Sequence, residues 1–125
     1  MKAYLETSLG VPTSQIKTLF NEEATRDAII ANLRELQTDA RIRNGDPILI
    51  FYAGHGGTAE APVGWETGGS NIQVLLSHDF HYTPHDNPVH AIPDRTIGSL
   101  LEQIAATKGD NIVRLLNQPL RADAR

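Results

Sequence analysis

The sequence predicts an α/β domain in which helices flank a mainly parallel sheet. Three observations carry that prediction. Helical and strand-like patterns alternate along the chain. The segment Ile48-Leu49-Ile50-Phe51-Tyr52-Ala53 is continuously apolar and rich in β-forming residues, as a strand covered on both faces would be. A length of 125 residues with 40% hydrophobic content suits one domain with a real core, and not two.

Element by element, residues 1–9 read as a short helix stopped by Gly10 and kept from resuming by Pro12. Ile16-Lys17-Thr18-Leu19-Phe20 alternates apolar and polar residues and predicts a strand. Thr25 is placed to cap the next helix, whose apolar face runs Ile29, Leu33, Leu36 and Ala40, and Gly45-Asp46-Pro47 ends it. After the apolar strand at 48–53 comes Gly54-His55-Gly56-Gly57, then a small-residue loop over 58–71. Residues 72–76 predict a short strand, and 78–93 an irregular stretch. Asp94 is a candidate cap for a helix with Ile97, Leu100, Leu101 and Ile104 inward and Gly109 as its stop. Ile112-Val113-Arg114-Leu115-Leu116 predicts the last strand, and the chain turns polar from Asn117. In a parallel sheet all strand ends point one way, and ligands gather outside the carboxyl ends. His55 falls just past such an end.

Composition excludes several classes of function. The chain carries 11 basic and 15 acidic residues without a basic run, which argues against a nucleic-acid partner. No apolar run is long enough for a membrane span, and the first residues lack the apolar stretch of a secretory signal. With no cysteine there is no disulfide, thiolate metal site or thiol nucleophile. A cytoplasmic location is the default expectation, and no cofactor is indicated.

The tetrapeptide at 54–57 can do chemistry. A buried strand delivers His55 to the sheet edge, and Gly56 has no side chain to shield its N–H. An imidazole that moves a proton beside an N–H that stabilises an oxyanion is half of an acyl-transfer site. A tight turn with an exposed histidine would read the same way.

Residues 48–56 closely resemble the histidine strand of the caspase and metacaspase family of cysteine peptidases. Leu9-Gly10-Val11-Pro12, Thr25-Arg26 and Asn44-Gly45-Asp46 upstream are similar to that family too, as are 92–97 and 108–112 downstream. The resemblance spans residues 1–112 and implies a caspase-like three-layer fold. It also implies that His55 is the histidine of a Cys–His dyad and that the Gly56 N–H belongs to the oxyanion hole. Peptide or protein substrates follow from it. Two departures stand against the match. The family's first strand is absent, and residues 113–125 carry neither the expected Asp-Cys nor any other thiol. The expectation is thus an incomplete fold, truncated at both ends, that retains the histidine but cannot cleave peptides alone. The alternative is a non-catalytic module that binds a caspase-like partner chain through its exposed sheet edge.

Rival sites fare worse. His55-Gly56-Gly57 is similar to the oxyanion loop of lipases, but Thr58 replaces the third glycine and no Gly-x-Ser-x-Gly exists. His78, His81, His85 and His90, with Asp79 and Asp86, could ligate zinc. A solvated, proline-punctuated loop explains them more simply, so no metal is expected. Asp79, Asp86 and Asp94 are too scattered for the calcium site of the metacaspase branch. Trp65 reads as a cover over apolar loop surface.

Overall fold

Residues 1–59, 64, 71–81 and 89–117 are described by the computed structural model. The chain runs α1 (Lys2–Thr7), α2 (Arg26–Thr38), β1 (Ile48–Ala53), β2 (His55–Ala59), β3 (Ile72–Leu76), β4 (Ile92–Pro93), α3 (Asp94–Lys108) and β5 (Ile112–Asn117), with short 3-10 turns at Thr13–Gln15 and Asn21–Glu23. The fold is mixed α/β. Its strands form a parallel pair, β1–β5, and a three-stranded antiparallel sheet in the order β2-β3-β4.

That arrangement corrects the expectation of a mainly parallel sheet with all strand ends alike. β1 and β5 do run in parallel, from Ile48 opposite Ile112 to Ala53 opposite Asn117. After Ala53, however, the chain bends at Gly54 and enters a hairpin, pairing His55 with Leu76 and Ala59 with Ile72. Thr58 and Ala59, expected in a loop, are strand residues. Ile92 and Pro93, expected in an irregular stretch, pair with Leu75 and Val74. The predicted strand over 16–20 does not form, because no strand lies beside it among the described residues. Its alternation instead lets Ile16 and Leu19 line a groove over the apolar face of β1.

The two long helices follow their sequence signals closely. Thr25 caps α2 as expected, its Oγ1 accepting a hydrogen bond from the Ala28 N–H at 3.1 Å. α2 ends at Thr38, so Ala40 lies beyond it and Gly45-Asp46-Pro47 belongs to the connection rather than the stop. Asp94 is not a cap. Pro93 holds the cap position of α3, and the Asp94 carboxylate pairs with Arg114 of β5 instead. Gly109 does stop α3, at φ +89°, where its N–H donates to the Ala105 carbonyl at 2.9 Å. A Cβ there would lie 3.0 Å from the Gly45 nitrogen, so glycine is required twice over. The Gly45 N–H in turn donates to the Lys108 carbonyl, and Lys108 Nζ donates to the carbonyls of Asp39 and Ile42. These bonds lock the entry to β1 against the end of α3.

The core lies where α2, α3 and the antiparallel sheet meet. Leu33, Leu75, Ile92, Ile97 and Leu100 are its buried members, with Ile50 and Tyr52 of β1 packed against them. Val74 and Leu76 centre a smaller cluster under Phe80. Alternation along β1 therefore sends Ile50 and Tyr52 inward and leaves Leu49 and Phe51 on the other face, 42% and 39% exposed. One face of the parallel pair is covered and the other is largely open.

Candidate active site

Tyr52 and Gly54 set the geometry at the carboxyl end of β1. The Tyr52 hydroxyl lies 2.6 Å from the Leu76 carbonyl oxygen and 2.9 Å from that of His55, so its proton ties β1 to both strands of the hairpin. Burial pushes the Tyr52 phenol up, against the smaller opposing effect of the Leu76 hydrogen bond. The ring crosses directly over Gly54, where an added Cβ would meet Oη at 2.6 Å and Cζ at 2.8 Å. Only glycine lets the chain pass beneath the ring and turn into β2.

His55 emerges from this turn exposed to solvent, and its ring makes no hydrogen bond among the described residues. It lines an open cleft of about 400 Å³ together with Asn21, Tyr52, Ser77 and His78. Gly56 does not line that cleft. It is buried in β2 opposite Leu75, one residue further into the hairpin. The end of β5 lies beside the end of β1, with Asn117 in register with Ala53.

Ser77, which lines the cleft, is braced by Asp79, a residue considered above only as a metal ligand. Its Oδ1 accepts the Arg26 N–H at 2.9 Å and the Ser77 hydroxyl at 2.7 Å. With Thr25 it satisfies two of the free N–H groups at the start of α2. Partial burial raises the Asp79 carboxyl, but the Ser77 hydroxyl, the Arg26 and Asp79 N–H groups and His81 together outweigh it and hold the group below its usual range. The His78 N–H donates to the Ala24 carbonyl at 2.9 Å, which fastens the same turn to the chain ahead of α2. The signal for this role was Ser77-x-Asp79, since short polar side chains two apart commonly bond within a turn.

Chemically the described residues that line the cleft offer two imidazoles, of His55 and His78, and no activated nucleophile. Ser77 is buried and gives its proton to Asp79, not to an imidazole, so it is not activated for attack. Among the described residues, no group of three or more metal-ligating side chains is brought together. His81 Nδ1 contacts the Asp79 carbonyl at 3.1 Å, an ordinary turn contact. His85, Asp86 and Trp65 lie outside the described residues. No helix among the described residues is long and apolar enough to cross a membrane.

Comparison with known proteins found no matching family model, no matching curated protein and no matching solved structure.

Proposed function

We propose that this chain is the histidine-bearing part of a caspase-like cysteine peptidase domain, inactive alone because it has no thiol. One observation carries the reading. An exposed, unbonded imidazole stands just past the carboxyl end of β1, next to the end of a parallel neighbour, β5. In a Cys–His dyad the nucleophile would come from the end of that neighbour, and His55 would take its proton. The resemblance around residues 48–56 supplies the reaction class, peptide-bond hydrolysis.

The proposal is tested by putting the thiol back. Asn117→Cys, Gln118→Cys and Pro119→Cys are made singly, and alkylation rate is followed against pH. At one position the thiolate should form well below the ordinary value of about 8.5, and His55→Ala should restore that value. Three thiols that titrate normally, whatever stands at 55, would refute the dyad geometry. So would peptide cleavage by the unaltered chain that His55→Ala abolishes.

A second reading is favoured by the strand order. Among the described residues β1 and β5 pair only with each other, so each has a free outer edge. Free edges template strand addition, which suits a non-catalytic module that engages a caspase-like partner chain. Light scattering after gel filtration distinguishes a defined oligomer from polydisperse material.

A further inference from the structure

The open face of the parallel pair is shaped as a groove of about 740 Å³. Leu49, Phe51 and Val113 form its floor, and Leu9, Leu19 and Phe20 stand along its wall. Val113, Phe20 and Leu9 are 52%, 54% and 58% exposed, so this is a continuous apolar surface and not a scatter of single residues. Parallel strands are almost always covered on both faces, usually by helices. Here α2 and α3 sit on one side only.

Charge selects the occupant. The protein as a whole carries −4, yet among the described residues the groove is lined by two lysines, Lys2 and Lys17, and by no carboxylate. Lys2 is partly answered by Glu6 at 3.7 Å, while Lys17 has no ion pair among the described residues. We infer that the groove takes an amphipathic helix from a partner protein, leucine-rich on one face and acidic along its flank. The apolar stripe covers Phe51 and Val113, and a carboxylate on the flank meets Lys17. A second copy of this chain is a poorer match, because its own groove would bring lysines rather than carboxylates to the contact. The inference goes beyond the proposed dyad and does not depend on what His55 does.

The experiment uses the full chain and synthetic peptides of about 20 residues, long enough to hold a helix on a surface. One peptide has leucines at helical spacing flanked by glutamates; the second has lysines in place of the glutamates. Fluorescence anisotropy should show the acidic peptide binding at least tenfold tighter. Added salt should shrink that margin, and Lys17→Glu, at an exposed position, should reverse it. Equal affinities, no binding of either peptide, or indifference to Lys17→Glu would overturn the proposal. So would a stable dimer of the chain that occludes the groove, or a clear preference for anionic lipid vesicles over the acidic peptide.

Discussion

Tyr52 and Gly54 form the tightest local dependence in the structure, and it is testable at the level of single atoms. A methyl group at position 54 must displace the ring, whose Oη would otherwise sit 2.6 Å away, and displacement breaks the hydroxyl's contacts with Leu76 and His55. Gly54→Ala is therefore expected to cost about 1–3 kcal/mol in urea unfolding. In a Tyr52→Ala background the same change should cost far less, and a double-mutant cycle measures that coupling. Tyr52→Phe keeps the ring and removes only the hydroxyl, at about 1 kcal/mol. Its pH dependence has a definite sign. The folded phenol is raised by burial, so its contribution is complete below the unfolded value of about 10 and is lost as pH climbs through the folded one. Tyr52→Phe should flatten that part of the alkaline stability loss. A variant that declines with pH as steeply as the parent would show that the phenol is not buried as described. His55, by contrast, is exposed, and His55→Ala should change stability by no more than about 0.5 kcal/mol.

At the scale of elements, the start of α2 holds together parts of the chain that are distant in sequence. Thr25 serves it locally and Asp79 serves it from 53 residues away. Thr25→Ala should cost about 1 kcal/mol. Asp79→Ala should cost about 1.5 kcal/mol or more, because a charged acceptor is lost from two donors. The Asp79 carboxyl is lowered in the fold, so its stabilisation is complete above the unfolded value of about 3.9 and is lost as pH falls through the folded value. Urea melts descending into acid should show a shallower loss for Asp79→Ala than for the parent. These two caps also mark what sequence reasoning can reach. Thr25, the inward faces of α2 and α3, and the Gly109 stop were legible because each rests on neighbours within a turn or two. β1 and β5 were legible as apolar runs. The hairpin was not, because His55-Gly56-Gly57-Thr58-Ala59 has weak intrinsic strand preference. It becomes a strand by pairing with β3 under the Tyr52 anchor, a tertiary decision. Residues 16–20 erred the other way, with strand-like alternation that serves one wall of a groove. At the candidate site, the position of His55 followed from the strand signal before it. The tie from Asp79 to the start of α2 did not, since its partner Arg26 lies far along the chain.

The molecule as a whole is unevenly buried, and this governs how it will respond to change. Ile92 and Ile104 are 0% and 1% exposed, whereas Val113 and Leu115 on the open sheet face are 52% and 43% exposed. Trimming Ile92 or Ile104 to valine leaves unfilled space in packed surroundings, at about 0.5–1.5 kcal/mol each. Stability of a domain is only about 0.05–0.15 kcal/mol per residue, so even this loss is visible in a urea midpoint. Replacing Val113 with threonine removes no volume and adds a hydroxyl that water can reach, and stability should stay within about 0.5 kcal/mol. The two kinds of variant should separate on a second axis. A dye that fluoresces on exposed apolar surface should bind the native protein through the open face, and Val113→Thr combined with Leu115→Thr should weaken that binding. Ile104→Val should lower the midpoint and leave dye binding to the native state unchanged. If the threonine variants were instead as destabilising as the core ones, the face of β1 and β5 would have to be buried in the free protein, and no groove would be open for a partner to fill.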